Sequence, residues 1–261
     1  MWKDIYNIMK KITIALSAAF IVGSLSSVNA EFTRDRLEEA TGISVGYNTS
    51  WSSQYVWRGE SQSSKDMSPA IGVDLGHSSG FYLGAWSGSI TNGTYGAEFD
   101  VYGGYAFEVG PLSFDVGDLY YLYPGESNEV QFNEYYFSVG TEIPLGMIAE
   151  DFSISPYVYL AYAPKWYGAN TPDVFYTEAG VEASIPGTPF SLSYTFGNID
   201  VDDLEGDAEK ANTVDSWDYY YISLSFGEVL GLDTSITYHD APGYKADGGQ
   251  DGFFISLGHE W

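Results

Sequence analysis

The fold is decided by a stretch in which apolar and polar residues alternate, Glu98-Phe99-Asp100-Val101-Tyr102-Gly103-Gly104-Tyr105-Ala106-Phe107. The odd positions are apolar or aromatic apart from one glycine, and the even positions include two carboxylates and a tyrosine. Successive side chains of a β-strand point to opposite faces of the sheet. The stretch therefore predicts a strand with one apolar face and one polar face.

The same period of two recurs from residue 42 to the last residue and divides the chain into about twelve strands. Short connections are predicted at residues 77–80, 108–111, 185–189 and 227–231. Longer ones are predicted at residues 59–68, 88–96, 124–128, 163–173, 198–216 and 240–252. The connection 141–151 is longer than its place among the short turns predicts. Within residues 112–123 the alternation loses its phase near Gly117 and Asp118, which predicts a β-bulge.

An even number of strands with short turns at one end and long loops at the other is typical of bacterial outer-membrane barrels. We therefore predict an all-β fold over residues 42–261, a transmembrane antiparallel β-barrel with short periplasmic turns and longer extracellular loops. A water-soluble sandwich is the alternative, because periodicity alone does not say whether the apolar face meets lipid or a core. Tyrosine clusters at strand ends, at residues 120–123 and 219–221, favour the membrane, where aromatic residues form interfacial belts.

The first thirty residues have the pattern of a secretory signal peptide. Lys3, Lys10 and Lys11 precede an uncharged apolar run over residues 12–25, and Val28-Asn29-Ala30 suits a signal peptidase. An uncleaved anchor is the alternative, although the apolar run is short for a spanning helix. We predict a signal peptide over residues 1–30 and a periplasmic lead-in over residues 31–41.

The composition is strongly acidic, with 36 Asp and Glu against 10 Lys and Arg and a formal net charge of −26. This charge argues against nucleic acid as a partner. The chain has no cysteine, so no disulfide framework is available. No sequence motif for a metal, nucleotide or flavin appears, and we predict no cofactor.

The phase of the alternation predicts which polar side chains face the interior of the barrel. The predicted pore-lining set is Arg58, Glu98, Asp100, Tyr102, Asp115, Glu134, Glu178 and Glu182. A lumen rich in carboxylates favours the passage of cations. The alternative is a closed barrel filled by salt bridges, with Arg58 paired to Glu98, Asp100 or Glu134. Twelve strands do not decide between these alternatives, since barrels of eight are filled by side chains and barrels of sixteen hold water.

Two further kinds of site are considered. The loop 198–216 carries acidic residues at positions 200, 202, 203, 205, 207 and 209, so it could bind calcium, but their spacing does not fit an EF-hand and a solvated loop is the simpler interpretation. The three histidines, His77, His239 and His259, have no motif-placed nucleophile such as G-x-S-x-G beside them. We therefore predict that the protein is not an enzyme.

Several short motifs occur in a fixed order along the chain: Tyr55-Val56-Trp57-Arg58-Gly59, Gly84-Ala85-Trp86-Ser87, the stretch from Glu98 to Tyr105, and Tyr121-Leu122-Tyr123-Pro124-Gly125. In this order they resemble the TorF-type family of porins of Gram-negative outer membranes, most densely over residues 54–136. The resemblance implies a barrel and a porin, and it brings no catalytic residues.

These expectations together predict an outer-membrane channel for the passive diffusion of small hydrophilic solutes, with a preference for cations. A closed structural or binding barrel that acts through its outer loops is the alternative. The expected partners are outer-membrane lipid, small hydrophilic solutes and the barrel assembly machinery, which reads an aromatic C-terminal strand. The predicted assembly signal is Phe253, Ile255, Leu257 and Trp261.

Overall fold

The computed structural model of the chain describes residues 37–91, 96–125, 130–166, 172–201, 216–242, 244 and 251–261. The predicted signal peptide and most of the acidic loop 198–216 lie outside the described residues. Residues 37–41 are helical, and Gly42 follows them with a φ of 72°. No helix among the described residues is long and apolar enough to cross a membrane.

Twelve antiparallel strands form one closed sheet, in which each strand pairs with its neighbours in the chain. The last strand pairs with the first, and Thr49 lies opposite His259 at this seam. The predicted fold is confirmed. The strands are β1 (Ile43–Ser52), β2 (Ser68–His77), β3 (Phe81–Ser89), β4 (Ala97–Val109), β5 (Leu112–Leu122), β6 (Phe132–Thr141), β7 (Ser153–Ala163), β8 (Val174–Ser184), β9 (Ser191–Val201), β10 (Trp217–Val229), β11 (Leu232–Asp240) and β12 (Asp251–Glu260).

The two ends of the barrel differ in their connections. At one end, the turn end, strands are joined by residues 78–80, 110–111, 185–190 and 230–231. The longer connection 142–152 also lies at the turn end, and its short strand Ile143–Pro144 pairs with the start of β7. The other end, the loop end, carries the long connections. The alternation of short and long connections predicted from the sequence is therefore present.

The outer surface of the barrel is apolar. Tyr47 is 49% exposed, Ile71 60% and Leu83 53%, whereas the intervening Asn48 is only 7% exposed. Large apolar side chains at such positions on every strand would be unfavourable in water, and they match the outward apolar band of membrane barrels. On β1 the odd-numbered residues thus face outward and the even-numbered ones inward, as the period of two predicts.

The predicted bulge at Gly117 and Asp118 is wrong. Strand β5 keeps an unbroken register with β4, in which Gly104 lies opposite Gly117 and Gly103 lies opposite Asp118. The alternation is blurred in the sequence because Asp118 sits on the outer face, where it accepts a hydrogen bond of 2.9 Å from Asn133 Nδ2. An irregularity in pairing does occur elsewhere, between Ser225 and Glu228 of β10.

The prediction also placed Arg58 on the first wall strand, and this is wrong. Strand β1 ends at Ser52, and residues 53–67 leave the wall to form a segment that we call the inner hairpin. Its short strands Val56–Trp57 and Glu60–Ser61 pair with each other rather than with the barrel. Arg58 is buried at the tip of this hairpin.

Candidate pore interior

The inner hairpin fills the interior at the loop end. Its tip is a two-residue turn in which Arg58 has a φ of 46° and Gly59 a φ of 86°, as tight hairpins with two left-handed residues require. Glycine is also needed for space, because a Cβ at position 59 would lie 2.7 Å from the Cβ atoms of both Tyr219 and Ala241. The hairpin therefore packs directly against β10 and the connection that follows β11.

Arg58 joins the hairpin to the wall. Its Nη1 and Nη2 donate hydrogen bonds of 2.7 and 2.8 Å to the two carboxylate oxygens of Glu134 on β6. The guanidinium carbon lies 3.5 Å from the ring centroid of Tyr176 on β8, which adds a cation–π contact. Burial by itself lowers the pKa of Arg58, but the Glu134 carboxylate together with Tyr121 and Tyr176 outweighs it, so the pKa is raised above its ordinary value and the side chain stays charged.

The backbone of the tip is held as well. Trp217 Nε1 on β10 donates a 3.1 Å hydrogen bond to the carbonyl oxygen of Arg58. The backbone N–H of Gly59 donates a 2.7 Å hydrogen bond to the hydroxyl of Tyr221, two residues further along β10. The tip of the hairpin is thus tied to strands β6, β8 and β10.

Three inward carboxylates at the loop end are close enough to interact with one another, and we call Glu98, Asp100 and Glu134 the acidic trio. All three are buried, with 3%, 6% and 0% of their surface exposed. Glu98 accepts a 2.8 Å hydrogen bond from the hydroxyl of Tyr55 on the inner hairpin. Oδ1 of Asp100 has no hydrogen-bond partner among the described residues. Of the three, Glu134 is the one paired with the guanidinium of Arg58.

Nearer the middle of the barrel, carboxylates and tyrosines are connected across glycines. Asp74 on β2, Gly84 on β3 and Tyr102 on β4 are direct cross-strand neighbours. A Cβ at Gly84 would lie 2.2 Å from the Tyr102 ring, so the ring lies along the wall over the glycine. Its hydroxyl donates a 2.5 Å hydrogen bond to Asp74 Oδ1. We call this arrangement an acid–glycine–tyrosine row.

A second row repeats the arrangement on the other side of the barrel. Glu178 on β8, Gly197 on β9 and Tyr219 on β10 are cross-strand neighbours. The Tyr219 hydroxyl passes over Gly197 and donates a 2.7 Å hydrogen bond to Glu178 Oε2. Tyr157 on β7 supplies a further hydrogen bond of 2.8 Å to Glu178 Oε1.

A related row spans four strands from β3 to β6. Tyr82 and Tyr136 approach each other from its two sides over Gly104 and Gly117, and their hydroxyl groups are hydrogen-bonded. Tyr82 also donates hydrogen bonds of 2.7 and 2.9 Å to the two carboxylate oxygens of Asp115. In all these rows the aromatic rings lie along the wall, because glycine leaves room for them there.

All eight side chains of the predicted pore-lining set lie on the inner side of the sheet or within the barrel. Arg58, Glu98, Asp100 and Glu134 lie together at the loop end. Tyr102 and Asp115 lie nearer the middle of the barrel. Glu182 lies closest to the turn end and is partly exposed. Their role as pore-lining residues stays a prediction.

The predicted set lacked several interior residues that form part of the site. Asp74 was visible in the sequence as the polar residue between Val73 and Leu75. The contacts of Tyr55 and Tyr176 with the acidic trio and Arg58 had no signal in the sequence, because they depend on where the inner hairpin folds. Within the described ranges, no group of three His, Cys, Asp or Glu side chains is placed to hold a metal ion.

The histidines occupy three separate places. Nε2 of His239 lies 3.0 Å from Nε2 of Gln54 inside the barrel. Nδ1 of His77 lies 2.7 Å from the hydroxyl of Ser79 in a turn at the turn end. His259 lies on the last strand, next to the seam with β1.

The closed sheet, its apolar outer band and its polar interior have the architecture of a transmembrane β-barrel. The chain belongs to a family described as a bacterial protein of unknown function (Gcw_chp), whose model matches residues 36–247. The TorF designation predicted from the motifs is not given by this match. Among proteins with curated descriptions, none matches the chain.

The chain is similar to several solved structures. The NanC porin superposes with a TM-score of 0.56 at 13% identity, over 83% of this chain and 99% of that one. LpxR from Salmonella typhimurium gives a TM-score of 0.45 at 11% identity, over 82% and 98% of the two chains. The outer membrane channel DcaP of Acinetobacter baumannii gives 0.40 at 9% identity, over 84% and 97%. At 13% identity, the likeness to the NanC porin shows the fold alone.

Proposed function

We propose that the protein is an outer-membrane channel for the passive diffusion of small hydrophilic solutes, with a preference for cations. The observation that carries this proposal is the charge of the interior. Carboxyl groups at positions 74, 98, 100, 115, 134, 178 and 182 face it, whereas Arg58 is the one buried arginine or lysine among the described residues. An interior of one sign of charge concentrates ions of the opposite sign.

The tyrosine rows support an interior that is not crossed by side chains. Tyr102, Tyr136 and Tyr157 lie along the wall over glycines. We infer that their rings leave the axis clear in the half of the barrel nearer the turn end. We infer that this half is a vestibule lined by Asp74, Asp115 and Glu182. The route into it from the loop end passes the inner hairpin.

A second candidate is a closed barrel that binds a ligand through its outer loops. The observation that favours it is the packing at the loop end, where Tyr55, Trp86 and Tyr121 are nearly fully buried around the hairpin. The inner hairpin would then be a permanent plug. The two candidates differ in one outcome. The channel passes ions with the hairpin in place, whereas the closed barrel does not.

The location and partners follow from the same proposal. The apolar outer band would contact outer-membrane lipid after export through the periplasm of a Gram-negative bacterium. Phe253 and Ile255 of β12 face outward and Trp261 follows the strand, so this strand could serve as the signal for the barrel assembly machinery together with Leu257.

Planar-bilayer recording of the refolded protein in a salt gradient tests the proposal. Discrete current steps, with a reversal potential of the sign that cation selectivity gives in this gradient, would support a cation-preferring channel. Arg58→Ala is expected to raise the conductance of each step, because it releases the hairpin from Glu134, and Lys65→Ala on the exposed side of the same hairpin serves as the matched control. A folded wild-type barrel that stays silent would overturn the channel and favour the closed barrel.

A further inference from the structure

The environment of Arg58 has the composition of a receptor site for a guanidinium group. A carboxylate accepts two parallel hydrogen bonds from the planar fork, and an aromatic ring lies under its face at 3.5 Å. This combination matches the shape and the weak hydration of guanidinium better than those of an inorganic cation. In this structure the site is filled by a residue of the chain's own inner hairpin.

The site has more acceptors than Arg58 uses. The two terminal nitrogens of Arg58 donate hydrogen bonds to Glu134, and the hydroxyl of Tyr55 donates one to Glu98. Oδ1 of Asp100 is buried without a hydrogen-bond partner among the described residues, although the side chain is only 6% exposed. A buried carboxylate oxygen without a donor is unfavourable, so such an atom indicates a donor that comes from outside the chain.

Aromatic residues flank the unused carboxylate. In the sheet, Asp100 on β4 lies directly between Trp86 on β3 and Tyr121 on β5. Asp100 is close enough to Glu98 and Glu134 to interact with both electrostatically. Aromatic side chains beside carboxylates form a favourable environment for an organic cation, because the ring faces and the carboxylates both attract positive charge.

The inner hairpin does not need to be inside for the barrel to close. All twelve wall strands pair without it, and its two short strands pair only with each other. Its tip is held by Glu134, Tyr176, Trp217 and Tyr221, and these contacts compete with any solute that binds the same groups. A ligand that prefers the state with the hairpin released shifts the population toward that state.

We propose that the acidic trio with Tyr176 forms a binding site for small organic cations that carry a guanidinium group, and that Arg58 is its internal occupant. As a statement about which solutes pass through the barrel, this inference rests on the proposed channel. As a statement about binding, it does not, since a closed barrel could hold the same ligand.

The test is chemical rescue of Arg58→Ala, made in the full chain and refolded into lipid vesicles. The probe is methylguanidinium chloride at millimolar concentration, and sodium chloride at equal concentration is the control salt. We expect methylguanidinium to raise the urea midpoint of Arg58→Ala in a saturable way, with little effect of sodium and little effect on Lys65→Ala. Adding Asp100→Asn to Arg58→Ala should weaken the apparent affinity about tenfold, as the loss of one hydrogen bond to a charged group predicts. Equal responses to both salts would overturn the proposal.

Arg58→Lys is the second variant if Arg58→Ala does not refold. It keeps the positive charge but cannot form the two parallel hydrogen bonds to Glu134, so methylguanidinium should still raise its midpoint more than sodium does. Sodium currents through the same variants separate the two proposals. Rescue of stability without current would retain the binding site and overturn the channel. If current flows and methylguanidinium neither rescues stability nor blocks the current, the channel is retained and the binding site is overturned.

Discussion

Arg58 and Glu134 are hydrogen-bonded through two contacts of 2.7 and 2.8 Å although 76 positions separate them in the chain. The pair connects the inner hairpin, whose strands do not pair with the barrel sheet, to β6, which is a strand of that sheet. Both side chains are buried, so neither charge has water to replace its partner. The position of the hairpin therefore depends strongly on this one contact.

Removing one member of the pair should destabilise the protein. We expect Arg58→Ala to lower the free energy of unfolding by about 3–5 kcal/mol, the usual effect of leaving a buried charge without its partner. Urea titration of the refolded protein in vesicles measures this. Arg58→Ala combined with Glu134→Gln should lose less than Arg58→Ala alone, because the carboxylate is then neutral. A double variant that is less stable than the single one would contradict the pairing.

The glycines of the inner wall give a second prediction. Gly84→Ala would place a Cβ 2.2 Å from the Tyr102 ring, and such overpacking should cost about 1–3 kcal/mol of stability. Gly46→Ala is the matched control on the same inner face, because its Cβ would meet only the Cβ of Asp74 at 3.8 Å. Unfolding in urea should distinguish the two variants. Tyr102→Ala introduced beside Gly84→Ala should relieve the strain, and a failure to do so would place the clash elsewhere.

Ion selectivity should depend on the carboxylates of the interior and not on those of the outer surface. We expect Glu182→Gln to move the reversal potential in a salt gradient toward zero, because it removes a negative charge near the turn end. Asp218→Asn, on the exposed face of β10, should leave the reversal potential unchanged. Equal shifts in both variants would show that surface charge governs the selectivity.

The apolar outer band predicts a depth-dependent effect of a charged substitution. Val158 is exposed in the middle of β7, so Val158→Arg should cost about 2–4 kcal/mol in a bilayer. Leu232 begins β11 next to the turn end, so Leu232→Arg should cost only about 0–1 kcal/mol. Folding yields and urea midpoints in vesicles compare the two. If the two arginines had the same effect, the band between them would not lie in lipid.

The wall of the barrel was predictable because each strand carries its own pattern. The alternation at residues 98–107 is enough to assign an inner and an outer face, and the chain repeats it on every strand. The inner hairpin was not predictable in this way. Extending the phase of β1 beyond Ser52 placed Arg58 inside for the wrong reason, since its position is set by contacts with residues 134, 176 and 217.

The site was predictable as a set of inward carboxylates but not as an arrangement. Arg58 had three candidate partners in the sequence, Glu98, Asp100 and Glu134, and only the folded chain selects Glu134. The acid–glycine–tyrosine rows require the register of three strands at once. Gly84 comes between Asp74 and Tyr102 only when β2, β3 and β4 are aligned.

Because tyrosine pairs with glycine on the inner wall, the clear inner diameter of the barrel is not set by its number of strands alone. Each ring that lies flat over a glycine takes up little of the radius, and the same ring opposite an alanine or valine would have to turn inward. Two barrels of twelve strands can thus differ widely in clear diameter. Moving glycines and tyrosines together between neighbouring strands would allow an engineer to set the aperture of such a barrel without changing its strand count.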